Sequence, residues 1–253
     1  MTQRKIALVT GGSRGLGRDM ALNIAKKGID VVITYHTNQT AAAEVVKAIE
    51  QTGSTGYALQ LDSSKTGSFD SFYEALSKLL LDKTGDAHFD YLVNNAGTGI
   101  YTPFTETTEA QFDEMMNIHL KGVYFLTQKA LPLLNDGGSI INISSGLARF
   151  TLPGTSAYAS MKGAIEVFTK YLAKELGGRG IRANVVAPGA VATDFGGGTN
   201  RDNEQKRALI SSATALGRVG EAEDIGPVVA FLCTPDAQWV NAQRIEASGG
   251  TLI

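Results

Sequence analysis

Residues 6–17 read Ile6-Ala7-Leu8-Val9-Thr10-Gly11-Gly12-Ser13-Arg14-Gly15-Leu16-Gly17. The apolar run Ile6–Thr10 predicts a short buried strand, and Leu16, Met20, Ile24 and Ala25 then recur at helical spacing until Gly28. Between them, glycines let the backbone turn tightly and approach an anion, whose charge would sit at the N-terminus of the helix. A strand, a glycine turn and a helix in this order open a parallel α/β sheet with a pyrophosphate-binding edge. The glycines at 11, 15 and 17 depart from the common G-x-G-x-x-G spacing, so the turn by itself also reads as an ordinary strand-to-helix connection.

Working outward, the alternation continues to the end of the chain. Val31–Tyr35, Tyr57–Leu61, Phe89–Val93, Gly138–Ile143, Arg182–Ala187 and Arg244–Glu246 predict further strands. Helical patterns fall between them: through Val45, Val46 and Ile49 to Gly53, around Phe69 to Leu79, over roughly Glu109 to Leu134, after Tyr158, and as a pair beyond Ala187. Repeated βα units connect by right-handed crossovers into a parallel sheet. The expectation is α/β: a Rossmann-type, doubly wound parallel sheet of about seven strands with helices on both faces, residues 1–253 forming a single domain. No linker, low-complexity tract or internal repeat interrupts it.

A chain of 253 residues can bury a full core without disulfides or metal. A net charge of −2 makes no electrostatic case for nucleic acid or a membrane surface. Cys233 is the only cysteine, which excludes an intrachain disulfide and fits a reducing compartment. The first apolar run is too short for a signal peptide and no later one is long enough to span a bilayer. A cytoplasmic protein with no metal site is expected.

Chemistry concentrates between Ser145 and Lys162. Ser145 stands at the tip of the strand Gly138–Ile143, and Tyr158 and Lys162 fall one turn apart on one helix face. A hydride arriving at a carbonyl carbon leaves charge on oxygen, and a tyrosine hydroxyl supplies both a hydrogen bond and a proton. An ammonium one turn away is expected to lower the phenol's high pKa, while Ser145 holds the substrate oxygen. Tyr-x-x-x-Lys alone describes any exposed helix face equally well; the rest of the chain decides.

Taken together, these stretches resemble the short-chain dehydrogenase/reductase family over nearly the whole chain. Thr10–Gly17 matches its Thr-Gly-x-x-x-Gly-x-Gly pattern, and Asn94-Asn95-Ala96-Gly97 follows the fourth strand. Ser145, Tyr158 and Lys162 fall at the family's catalytic spacing, and Pro188-Gly189 with Thr193 resembles its nicotinamide-side loop. Gly217-Arg218, Glu223-Asp224-Ile225 and Ser248-Gly249-Gly250 resemble its C-terminal signatures.

The resemblance implies that Tyr158 is the general acid in reduction and the base in oxidation. It implies that Lys162 tunes that phenol and bonds the nicotinamide ribose, and that Ser145 orients the carbonyl. It implies a nucleotide site built from Gly11, Ser13, Arg14, Gly15, Leu16, Gly17, His36, Asp62, Asn94, Gly97, Tyr158, Lys162, Pro188, Gly189, Val191 and Thr193. Asn94 and Asn95 equally read as turn formers, and for Asn95 that reading is preferred. One position departs from the family, which has asparagine in the long helix before Leu-x-Gly; aligning His119-Leu120-Lys121-Gly122 puts His119 there. The family uses mainly the backbone carbonyl at this place, so the imidazole either joins a proton relay or merely fills the position.

An acidic residue at the end of the second strand would select NAD, but that place reads Tyr35-His36-Thr37-Asn38. Arg14 lies where the family's NADP enzymes carry a basic residue, and a guanidinium takes a phosphate bidentately. NADP(H) is therefore expected, with NAD(H) as the lesser alternative. Leu147, Phe150, Leu152 and Phe195 predict a roomy apolar substrate site with few fixed charges. Gly196-Gly197-Gly198-Thr199-Asn200 predicts the hinge of a lid carrying the helix Glu204–Ser211.

An uncharged ketone or β-keto ester suits that site, and a 3-oxoacyl-[acyl-carrier-protein] substrate is the alternative. A non-catalytic NADP-binding regulator is the reading from a different class; an extended-type epimerase or dehydratase is disfavoured by chain length. The family's usual homotetramer would use Phe125, Leu126, Leu131, Phe168, Tyr171 and Leu172. The apolar tail Thr251-Leu252-Ile253 would pack on a neighbour.

Overall fold

The structure, a computed structural model, describes residues 4–253; Met1–Gln3, which the single-domain expectation included, lie outside the described residues. Seven strands form one sheet: β1 (Ile6–Val9), β2 (Asp30–Tyr35), β3 (Gly56–Gln60), β4 (Phe89–Asn94), β5 (Leu134–Ile143), β6 (Arg182–Pro188) and β7 (Arg244–Ala247). Their order is β3-β2-β1-β4-β5-β6-β7, and every pairing is parallel. The chain begins in the middle, winds out to β3, returns to β4 and winds the other way. The reversal between β1 and β4 leaves a crevice at the carboxyl ends of those strands, where ligands bind in open α/β sheets.

Alternation along each strand sends side chains to two separate cores. Ala7, Val9, Val31 and Ile33 pack with Met20 and Ile24 of α1 (Gly15–Ala25) and Val45 and Ile49 of α2 (Gln39–Glu50). Leu8, Val32, Leu92 and Ile140 face the other way, onto Phe69, Phe72, Leu76 and Leu80 of α3 (Phe69–Thr84). These strands are buried on both faces, which is why they read as continuous apolar runs.

The long helix expected over Glu109 to Leu134 is instead three pieces. Thr108 caps α4 (Glu109–Met116) through a capping box with Gln111. Asn117–Lys121 then widen into a π-turn closed by the Gly122 N–H on the Asn117 carbonyl, and α5 runs from Gly122 to Ala130. Pro132 offers no N–H to prolong a helix, and Leu134 already pairs with Phe89 as the first residue of β5. Gly122 is required by contact: a Cβ there would stand 2.1 Å from the Ser63 carbonyl oxygen. The wide turn carries His119 at its centre.

A polar ladder seats α6 (Ser156–Glu175) on the sheet. The Asn94 amide donates to Asn142 Oδ1 (2.8 Å) and Thr127 Oγ1 (2.9 Å), and Asn142 donates to Thr169 Oγ1 (2.9 Å). Buried amides need such partners, and these tie β4, β5, α5 and α6 into one register. Beyond β6 the chain forms α7 (Thr199–Asp202), α8 (Glu204–Ser212) and α9 (Gly226–Leu232). No described helix is long and apolar enough to cross a membrane, and the described residues hold no His/Cys/Asp/Glu group fit for a metal ion.

Candidate active site

A cavity of about 1000 Å3 opens where the strands end. At one end lies the turn after β1. The Thr10 hydroxyl donates to the Val93 carbonyl and accepts from the N–H groups of Asn95 and Ala96 at 3.0 Å, so β1 and the loop after β4 are pinned together. Gly11, with φ of +64°, would bring a Cβ within 2.9 Å of Ala96 Cα, and a Cβ on Gly17 would stand 2.2 Å from the Gly11 carbonyl oxygen. Only glycine fits either place, which leaves the backbone free to meet a ligand.

Arg14 is exposed at the N-cap of α1, lines the cavity and has no carboxylate within 4 Å among the described residues. His36, also in the lining, directly follows β2, its Nε2 3.5 Å from Asp62 Oδ2. Although burial opposes ionisation of Asp62, the hydroxyl and N–H of Ser64 and the neighbouring His36 and Lys65 hold its carboxyl below the usual range.

The other end is built by β5 and α6. Ser145 follows β5 in extended conformation, and its Oγ accepts the Leu147 N–H at 3.2 Å. Behind it, Glu166 Oε1 takes hydrogen bonds from Ser144 Oγ (2.8 Å) and Arg244 Nε (2.6 Å), while Arg244 Nη2 reaches the Ser145 carbonyl at 3.3 Å. Tyr158 and Lys162 rise from the first turns of α6. The Tyr158 ring meets His119 edge-on at 5.0 Å and Phe195 at 5.8 Å.

Two electrostatic findings revise the expected tuning. Lys162 Nζ donates to the Ile143 carbonyl at 2.7 Å and sits 5.5 Å from the centre of the Tyr158 ring, so its hydrogen bond goes to the strand and not to the phenol. Burial pulls the Lys162 amine down to about 7. Loss of water pushes the Tyr158 phenol up from its usual value; the Ser145 hydroxyl pulls the other way. The phenol is thus held protonated, which is the form a proton donor needs.

His119 is 1 % exposed. Its Nε2 lies 2.7 Å from the Thr98 carbonyl, which only accepts, so Nε2 carries the proton. Burial, reinforced by the charge of Lys162, holds the ring well below the usual histidine range. The imidazole is therefore neutral, with the Nδ1 lone pair buried and unpartnered beside Gly97.

Every residue chosen from sequence for the site lines this cavity except Asn94. Asn94 is committed to the ladder with Asn142 and Thr127, and it is Asn95, read as a plain turn former, that reaches the wall. Asn95 Nδ2 donates to the Thr10 carbonyl at 2.9 Å, shaping the glycine turn. Adjacent residues on a strand end point to opposite sides, and one position of register decides which of two asparagines meets the cavity.

The sequence reading missed Thr251 and Leu252 among the lining residues. Arg149 donates to the Thr251 and Leu252 carbonyls at 2.6 and 3.0 Å, which sets both residues at the wall. Gly196, Gly197 and Gly198, the expected lid hinge, all have positive φ, and α7 and α8 follow.

The profile of a family described as enoyl-(acyl carrier protein) reductase matches residues 11–251. A hydroxynaphthalene reductase-like protein, Arp2 of Metarhizium brunneum, is 37 % identical over 98 % of this chain and 95 % of its own length. The chain is a short-chain dehydrogenase/reductase. Among solved structures similar to this short-chain dehydrogenase/reductase is LugOII, a promiscuous reductase that catalyses keto-reduction at C1 in lugdunomycin biosynthesis. It is 39 % identical with a TM-score of 0.93, covering 98 % of each chain. The landomycin C-6 ketoreductase LanV, solved with NADP and rabelomycin, is 39 % identical with a TM-score of 0.89, covering 98 % of this chain and 96 % of its own. An oxidoreductase acting on carbonyl or alcohol groups is what these relatives have in common with it.

Proposed function

We propose that this reductase converts a ketone to a secondary alcohol with NADPH, reversibly, through Ser145, Tyr158 and Lys162. The observation that carries the proposal is the meeting of a protonated phenol, a serine hydroxyl and a buried amine at one end of a cavity whose other end presents an unpaired guanidinium. NADPH fits that cavity: the glycine turn admits a pyrophosphate, no carboxylate ends β2 to repel a 2′-phosphate, and Arg14 is free to bind one. When bound, the cofactor supplies hydride. Gly11 to Gly17 hold its pyrophosphate, Arg14 and His36 its 2′-phosphate, Asp62 meets its adenine, and Pro188, Gly189, Val191 and Thr193 its nicotinamide side.

Ser145 then orients the substrate carbonyl, and Tyr158 gives its hydroxyl proton to the oxygen as charge develops there. In oxidation Tyr158 must first lose that proton, and a raised phenol pKa moves oxidation to higher pH than reduction. The walls favour a flat ring ketone over an acyl chain, because Tyr101, Phe150 and Phe195 offer aromatic faces around the reacting end. Relatives named a hydroxynaphthalene reductase-like protein and an angucycline C-6 ketoreductase support the same choice.

We place the protein in the cytoplasm as a homotetramer. Of the residues expected at its interfaces, Leu126 and Leu172 belong to the core, whereas Phe125 and Tyr171 are exposed together with Tyr124 and Val167. A panel of ring ketones and 3-oxoacyl thioesters followed at the NADPH absorbance tests the activity; no turnover of any member leaves the regulator reading in its place.

Two substitutions probe the site further. Arg14→Ala is expected to lower kcat/KM for NADPH by about 10–100-fold, the value of a charge-assisted phosphate contact, and to leave that for NADH within about twofold. Steady-state kinetics with both nucleotides measures it. His119→Asn is expected to retain activity within about tenfold of the parent, since a neutral ring bonded to a backbone carbonyl is not required to carry a proton. A loss of several orders of magnitude in kcat would make the imidazole itself essential.

A further inference from the structure

One charged side chain of the cavity has no part in the scheme above. Lys206 lies on the lid helix α8, half-buried, at the cavity wall. Its neighbours in charge are all paired: Arg201 with Asp194 and Asp202, Arg207 with Glu221, Arg218 with Asp224. Lys206 has no carboxylate within 4 Å among the described residues. Its Nζ stands 4.8 Å from the centre of the Tyr101 ring and donates to Thr199 Oγ1 at 2.7 Å. The other charged groups on the substrate side are Glu114, which is exposed, and Asp194, which Arg201 neutralises.

We propose that Lys206 recognises an anionic oxygen on the substrate, a carboxylate or an ionised phenol or enol, at the end of the cavity away from Tyr158. The inference rests on the ketone-reductase reading and deepens it. An ammonium with two donors to spare and no counter-charge can bind an anion, and the face of Tyr101 fixes where it points. Burial lowers its pKa from the usual lysine range, as befits a cation without a partner.

Tyr101 spans the two ends: its ring lies under Lys206, and it lines the same cavity as Tyr158. A planar substrate that places its carbonyl at Tyr158 and lies along Tyr101 brings a substituent on its far ring to Lys206. Because Lys206 belongs to the lid, closing over the substrate and neutralising its charge become one event. This departs from the sequence expectation of an uncharged ketone or β-keto ester.

The test is equilibrium binding to the NADP+-saturated protein by calorimetry, with three probes of similar shape. These are 2-naphthoate, 2-hydroxy-1,4-naphthoquinone as its ionised enol, and neutral naphthalene-2-carboxamide. Lys206→Met is expected to weaken at least one anion about 10–100-fold and the carboxamide less than about twofold, with Lys206→Arg restoring most of the loss. Whichever anion depends more on Lys206 identifies the source of the charge. Equal losses for all three probes, or parent protein that binds neither anion more tightly than the carboxamide, overturns the proposal. Lys206-dependent anion binding in a protein that turns over no ketone would instead sink the reductase reading and leave the anion site standing.

Discussion

Replacing Tyr158 by phenylalanine is expected to lower kcat for ketone reduction by about 10^2–10^4-fold, the contribution of a positioned general acid. The substitution removes one oxygen and keeps the ring. The edge-on contact with His119 at 5.0 Å and the tilted one with Phe195 at 5.8 Å both survive, so the cavity wall keeps its shape. NADPH affinity should therefore change by less than about threefold, which separates loss of a proton donor from loss of the site. Ser145 remains to hold the carbonyl, but a serine hydroxyl with no buried proton source behind it is a poor acid. Single-turnover oxidation of NADPH at saturating ketone, with nucleotide binding followed by fluorescence, measures both quantities. Turnover within tenfold of the parent would remove Tyr158 from the reaction.

The fold was legible because it is written in repeated units. Each strand is an apolar run bounded by turn residues, each helix has its own apolar face, and parallel α/β architecture follows from their alternation. Boundaries drifted where tertiary contacts override local pattern. The helix expected to run on to Leu134 stops at Ala130 because Pro132 follows, and its π-turn answers a steric demand, Gly122 against Ser63, that no periodicity reveals.

At the site, residues chosen for their chemistry were found, since glycines, Ser145, Tyr158 and Lys162 are bound to fixed positions on a strand end and a helix turn. What escaped was orientation and charge. The choice between Asn94 and Asn95 depends on one position of register, and the protonation of Lys162 depends on burial. The counter-ions of the lid are visible only when α8 has been placed, and with them the isolation of Lys206.

Lys162 carries the second large effect, and it runs in opposite directions for activity and stability. Lys162→Met is expected to cut kcat/KM by at least about 10^2-fold, because in the proposed reaction the amine beside the Tyr158 ring is lost. The same change should stabilise the ligand-free protein at neutral pH. The buried amine titrates at about 7 against an ordinary value of 10.5, so between those values the unfolded chain binds more protons than the folded one. Stability accordingly rises with pH through that window. The linkage costs about 4 kcal/mol at pH 7 and about 2 kcal/mol at pH 9, taking about 1.4 kcal/mol per pKa unit.

Methionine removes this cost but leaves the Ile143 carbonyl without its 2.7 Å donor, a loss of about 1–3 kcal/mol. The net gain at pH 7 is then about 1–3 kcal/mol, or roughly 2–10 °C in Tm for a chain of this size. At pH 9 the two terms nearly cancel and the melting curves of parent and variant should converge. Thermal unfolding of both proteins without nucleotide at the two pH values is the measurement. A variant that melts below the parent at pH 7, or a gap that widens as pH rises, would show that Lys162 is buried as an ammonium with more support than the Ile143 carbonyl alone provides.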